Sequence, residues 1–281
     1  MCNVPSVNVN GLDLFYADDD YADPWRAHDA ILMQHWVLGN HTQFRGWVPQ
    51  LAREFRVIRM DRRGHGDSTK PPVGYQYCLA DLLSDMEGLL DALGIERVHY
   101  VGASLGGMLG AFFAAAHPDR VKSLVLCGTP SWIKPVTQNG FARGGYADGV
   151  SSVQALGSFA WAYHGWTAAR SSDATVWDEL RNIYYAQQTA KMPAHVIASL
   201  MRMVSQRDFD ITPILGEIQA PTLLLTPEAS IHTSMDEQAM MKERIPDCEQ
   251  VVFAGASHQI AADIPERCAE ATLAFLRQHT N

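Results

Sequence analysis

Positive charge is scarce in this sequence: 22 lysines and arginines stand against 31 aspartates and glutamates, a formal net charge of −9. No basic run occurs, which argues against a nucleic-acid backbone or an anionic membrane surface as partner, because both need clustered cations. Cysteine is sparse and scattered: Cys2, Cys78, Cys127, Cys248 and Cys268 are odd in number and never spaced Cys-x-x-Cys. Neither a disulfide framework nor a zinc knuckle is expected. No stretch nears the roughly 18 apolar residues of a membrane span, and Met1 to Tyr16 lacks the basic start and apolar run of a signal peptide. The expectation is a cytoplasmic protein, monomer or homodimer, acting on a small-molecule substrate. A phosphate loop, a dinucleotide fingerprint and His-Glu-x-x-His are all missing, so no cofactor and no metal is implied. The acidic run Asp18-Asp19-Asp20 with Asp23 lacks the glycine and closing glutamate of a calcium loop and reads as a solvated turn.

What the sequence has in their place is one concentrated motif. Val98-His99-Tyr100-Val101 reads as a buried strand. It runs into Gly102-Ala103-Ser104-Leu105-Gly106, and the apolar segment Met108 to Ala116 follows as a helix. Gly-x-Ser-x-Gly between strand and helix is a sharp turn that holds its serine in a strained conformation. Gly102 and Gly106 then mark places where a side chain would collide with neighbouring backbone. Ser104 would stand at the amino end of a helix, where unpaired N–H groups favour developing negative charge.

At this point the chain resembles the α/β-hydrolase fold family, and other stretches share the likeness. Asp61-Arg62-Arg63-Gly64-His65-Gly66-Asp67-Ser68 resembles a structural turn of that family, so His65 reads as structural. Asp91-Ala92-Leu93-Gly94-Ile95-Glu96 is similar to the branch that contains 3-oxoadipate enol-lactonases. The expected fold class is α/β: a mostly parallel, doubly wound sheet with an inserted helical cap. The resemblance places the core in residues 1–130 and 211–281. The cap is 131–210, where glycines cluster and aromatic and methionine-rich helical stretches follow.

Ala30-Ile31-Leu32-Met33 is a short apolar run fitting a strand buried on both faces, so Gln34 to Asn40 lies at a strand's carboxyl end, where ligands sit in such sheets. The family likeness makes this the first oxyanion loop, with Trp36 where a glycine is usual. Val37 is the favoured backbone donor, Trp36 its alternate, and Leu105 the second donor. His35, Trp36 and Trp161 are the candidate substrate contacts; a tryptophan at the lip suits a planar or aromatic substrate. Histidine 41 and Gln43 lie nearby in sequence.

A serine hydroxyl needs a base to take its proton. His258, in a loop after Gln250-Val251-Val252-Phe253, which reads as the last strand, holds the family's place for it. The orienting acid is where the chain departs. Cys127-Gly128-Thr129-Pro130 offers no carboxylate, and in Thr226-Pro227-Glu228-Ala229-Ser230 an alanine takes the aspartate's place. Glu228, one residue earlier, is the candidate acid, ahead of Asp236 and Glu237.

The reading is a serine hydrolase cleaving an ester or lactone of a small aromatic or planar substrate through an acyl-enzyme on Ser104. One alternative is a cofactor-independent dioxygenase cleaving a 3-hydroxy-4-quinolone ring with His258 as base. Trp36, the aspartate missing from Thr226-Pro227-Glu228-Ala229-Ser230 and the run Ala261-Ala262-Asp263-Ile264-Pro265 favour it; Leu105 after the serine and the lack of an acid in Cys127-Gly128-Thr129-Pro130, where that group carries one, count against it. A second alternative is a ligand-binding protein that kept the fold and lost turnover.

Overall fold

The computed structural model describes residues 5–134, 138–167 and 175–280. Asn10 and Gly11 take positive φ, 55° and 77°. Their turn closes the antiparallel hairpin of β1 (Ser6–Val9) and β2 (Leu12–Asp19), a turn that an Asn-Gly pair favours. β2 pairs antiparallel with β4 (Arg56–Met60), and from there every pairing is parallel. β3 (Ala30–Gln34), β5 (Val98–Ala103), β6 (Val121–Cys127), β7 (Thr222–Pro227) and β8 (Cys248–Phe253) complete an eight-stranded sheet in the order β1-β2-β4-β3-β5-β6-β7-β8. The acidic run at the end of β2 is partnered rather than simply solvated: Asp18 pairs with Arg56, Asp19 with Arg59 and Asp20 with His28.

Parallel strands need crossover helices, and these cover both faces. On one face lie α1 (Val48–Leu51) and, near the carboxyl end of the chain, the helix Pro265–Gln278. On the other lie α2 (Leu79–Ala92) and α3 (Leu105–Ala116). Side chains of β3 alternate between them: Leu32 joins the cluster under α2 and α3, whereas Ile31 and Met33 join the cluster under α1.

Between β6 and β7 the chain leaves the sheet for α4 (Gly149–Leu156), α5 (Ser158–Thr167), α6 (Val176–Ala190) and α7 (Ala194–Val204). The two ends of this excursion are tied together. Trp132 and Asp210 form an antiparallel bridge, and the Ile211 N–H donates to the Ser131 carbonyl at 2.8 Å. Glu237, buried on α8 (Met235–Arg244), anchors the same neck by accepting from the Ser131 N–H and hydroxyl and pairing with Lys134. It is therefore engaged in structure, while Asp236 is exposed; neither is a partner for His258. Among the described residues no helix is long and apolar enough to cross a membrane.

Candidate active site

β5 delivers Ser104 into a backbone conformation of φ 51°, ψ −115°, one of two positive-φ residues other than glycine among those described. Such a conformation is held only where the surroundings over-determine it, and here they do. A Cβ at Gly102 would lie 2.4 Å from the Gly106 carbonyl oxygen, and one at Gly106 would lie 2.1 Å from that of Gln34. Helix α3 thus crowds against the ends of β3 and β5, and only glycine fits at the contacts. The Tyr100 hydroxyl, donating to the Gly106 carbonyl at 2.8 Å, locks the turn from below.

The loop after β3 is braced by side chains from elsewhere in the sequence. Arg62, fully buried, donates to the carbonyls of His35 and Trp36 at 2.5 and 2.6 Å. Burial pushes its guanidinium down to about 10. His35 Nε2 accepts from the Arg62 N–H at 3.4 Å, so its Nδ1 carries the proton and donates to the Trp36 carbonyl at 2.8 Å. His35 is buried under the loop and does not line the cavity. Its assignment as a substrate contact is corrected: it is a strut, held neutral by burial and by Arg62. His65 supports the same loop through the Val37 carbonyl at 3.0 Å, the structural role expected of it. Asp61 sits behind. Burial pushes its carboxyl up, but hydrogen bonds from the His41 ring and from the N–H groups of Asp67 and His41 reverse this, and it titrates below its ordinary value.

The two proposed places for Trp36 separate. Its N–H donates to Gln43 Oε1 at 2.8 Å, so that group is already engaged and Trp36 is corrected as an oxyanion donor. Its ring does line the cavity, packed 5.8 Å from Trp166 and 5.4 Å from Tyr185 between ring centres. The Val37 and Leu105 N–H groups have no partner among the described residues, and both residues border the cavity beside Ser104.

His258 comes from the loop between β8 and α9 (Ile260–Asp263). Its Nε2 lies 3.2 Å from Ser104 Oγ, across 154 residues of sequence. Its other nitrogen departs from the expected plan. Nδ1 lies 3.1 Å from Ser230 Oγ. Glu228 turns outward, exposed, and accepts from the Gly255 N–H at 2.8 Å. The assignment of Glu228 as orienting acid is corrected on this geometry: its backbone is fixed by the Phe253 carbonyl, and its side chain closes the turn after β8 instead. Among the described residues no carboxylate reaches either nitrogen of His258. Burial and the neighbouring His232 ring, 4.7 Å away, push the imidazole well below its ordinary value and keep it neutral.

Ser104 and His258 open on a cavity of about 410 Å³ whose walls are mainly apolar, including Leu38, Ile133, Phe141 and Val204. Among the described residues one arginine or lysine stands in that wall. Arg143 lies 4.0 Å over the Trp161 ring and donates to the Trp161 carbonyl at 2.7 Å. Gly165 makes room for it, since a Cβ there would lie 2.0 Å from the guanidinium carbon. No carboxylate among the described residues pairs with it, and burial pushes it down to about 10. Trp161 itself is wholly buried, its indole N–H on the Phe141 carbonyl, so as a substrate contact it is corrected to the backing of Arg143. Sequence reasoning missed Arg143, Ser230 and His232. Only the lone arginine in a glycine-rich stretch and the hydroxyl beside the acid's vacant place were there to be noticed.

A family model described as the alpha/beta hydrolase fold matches residues 29–263. The chain belongs to that family. A 2-hydroxy-6-oxononadienedioate/2-hydroxy-6-oxononatrienedioate hydrolase of Paraburkholderia xenovorans is 27% identical over 266 residues, covering 85% of this chain and 83% of the relative. A 3-oxoadipate enol-lactonase of Acinetobacter baylyi is 27% identical over 241 residues, covering 82% and 83%. Among solved structures, an enol-lactonase from Burkholderia xenovorans superposes with a TM-score of 0.84 at 23% identity, over 97% of this chain and all of that one; at that identity the likeness is one of fold. The alpha/beta hydrolase described here is an enzyme of the same broad class, a hydrolase.

Proposed function

We propose that this alpha/beta hydrolase cleaves an ester or lactone of a small, planar acid that carries a carboxylate, through an acyl-enzyme on Ser104. The observation that carries the reading is the 3.2 Å contact of Ser104 Oγ with His258 Nε2 at the floor of the apolar cavity, within the reach of a nucleophile and its base. In the reaction, the Ser104 oxygen bonds to the carbonyl carbon as its proton passes to Nε2 of His258. The carbonyl electron pair moves to oxygen, facing the N–H groups of Val37 and Leu105. Collapse expels the alcohol or enol, which takes the proton from Nε2, and water repeats the sequence to release the acid. Donors aimed at the oxyanion contribute about 3 kcal/mol each in related sites.

Trp36 and Trp166 give the cavity flat walls, and Arg143 supplies the charge that a substrate carboxylate would meet. A buried guanidinium without a carboxylate partner among the described residues costs desolvation free energy, which an anionic ligand offsets. We read the helical segment 131–210 as the cap. Arg143, Trp166 and Val204 in it line the cavity, and its ends are joined at one neck.

The test is hydrolysis of 4-nitrophenyl esters and of enol lactones with and without a carboxylate, in the native enzyme and in Ser104→Ala. Loss of at least about 1,000-fold is expected; turnover surviving the substitution overturns the covalent mechanism. Two controls separate the other readings. Oxygen uptake with a 3-hydroxy-4-quinolone would favour the oxygenase, for which Gly128 leaves no acid at the β6 end. The outward Glu228 is compatible with binding without turnover, and tight binding of a carboxylated lactone without its hydrolysis would favour that reading.

A further inference from the structure

The hydroxyl beside His258 Nδ1 has an unusual set of partners. Ser230 Oγ accepts from the backbone N–H of His232 at 3.1 Å and from that of Thr233 at 3.0 Å. A hydroxyl offers two acceptor lone pairs and one proton. With both lone pairs engaged, only its proton is left for the third neighbour, Nδ1 of His258 at 3.1 Å. Both places where a carboxylate would usually orient the imidazole are otherwise empty of one. Ala229 holds the first. At the second, Gly128, a Cβ would lie 3.8 Å from Nδ1.

We infer that Ser230 is a positioning residue that replaces the acid and donates to Nδ1, so that the resting imidazole carries its proton on Nε2 and donates it to Ser104 Oγ. This rests on the reading of Ser104 and His258 as nucleophile and base. In that resting tautomer Nε2 has no lone pair free for the serine proton. The reactive tautomer forms when one proton moves from Nε2 to Nδ1 and the Ser230 hydroxyl turns away, with no change in net charge. The imidazolium of the transition state then lacks a carboxylate partner. The site therefore favours substrates whose leaving group needs little protonation, enols and phenols over alkanols.

The proton's place is read directly by nitrogen-15 spectra of histidine-labelled enzyme near pH 7, with His258 assigned by its loss in His258→Gln. A pyrrole-type Nε2 and pyridine-type Nδ1 are expected; the reverse pattern overturns the inference. Ser230→Asp offers an acceptor to Nδ1 while still taking the two backbone N–H groups. It is expected to reverse the tautomer and raise kcat on an alkyl ester by at least about 100-fold, a fraction of what an orienting carboxylate is worth. Ser230→Thr keeps the hydroxyl and should keep the wild-type nitrogen pattern. An unchanged tautomer and rate in a folded Ser230→Asp enzyme overturns the inference. If Ser104→Ala retains activity while the nitrogen pattern is as stated, the hydrolase reading fails and the placement of the proton stands.

Discussion

The two halves of the site are built to different standards. On the nucleophile side, Ser104 is clamped between β3, β5 and α3 by contacts that admit only glycine, and the adjoining loop is braced by Arg62, His35 and His65. On the acid side, at the ends of β6 and β7, Gly128, Ala229 and Ser230 stand around His258 with no carboxylate, and the nearby Glu228 serves a turn. A strained, over-determined bend is kept by the backbone packing of the whole sheet, whereas the acid hangs on one side chain in a loop. The second can be lost without cost to the fold.

The largest effect should come from breaking the nucleophile side. Ser104→Ala is expected to remove at least about 1,000-fold of ester hydrolysis with the melting temperature nearly unchanged, measured by steady-state rates and calorimetry. Activity within tenfold of wild type would mean that the clamped turn is architecture alone.

That half also rests on neutral histidines, which makes it sensitive to acid. Burial pushes His65 down to about 3 and His99 to about 4, and holds His35 well below its ordinary value. Each takes up a proton in the unfolded chain near pH 6.5 but not in the folded one. Stability is therefore flat above that pH and falls below it, by about 1.4 kcal/mol per pH unit for each histidine. Between pH 7.5 and 5.5 these three should cost about 4 kcal/mol, and His258, pushed down to about 3 by burial, about 1.4 kcal/mol more, read from urea midpoints. A midpoint that does not move over this range contradicts the buried neutral state.

A smaller effect probes the cavity between the halves. Arg143→Gln should raise KM for a carboxylated ester about 10- to 100-fold more than for its uncharged analogue, the span of a desolvated charge pair. Equal changes for both would remove the anion from the substrate class. The smallest effect belongs to the acid side. Glu228→Gln should change kcat less than about twofold, because the amide oxygen can still accept from the Gly255 N–H. A drop of 100-fold or more would return Glu228 to the role its place in the sequence first gave it.

The same contrast governs what could be read from the sequence. The turn around Ser104 is local, so strand residues, glycines and helix residues stand next to one another in the chain. The strand Ala30–Gln34 was legible in the same way, from a short unbroken apolar run. His258 was reachable because a strand end fixes its neighbourhood. Where Glu228 points was not, since it depends on hydrogen bonds from its loop to Phe253 and Gly255. The burial of His35 depends on Arg62, 27 residues away in sequence and adjacent only once β3 and β4 pair. Trp161 looked like a pocket wall because aromatic content reveals no facing; the wall at that point is Arg143, stacked upon it.

The account depends most on Ser104 Oγ forming a covalent bond to the acyl group. Brief exposure to 4-nitrophenyl acetate, acid quench and peptide mass mapping would show it. One acetyl group on the peptide containing Ser104, missing in Ser104→Ala, is the expected result; nitrophenol released with that peptide unmodified, or with the label on another residue, would contradict it.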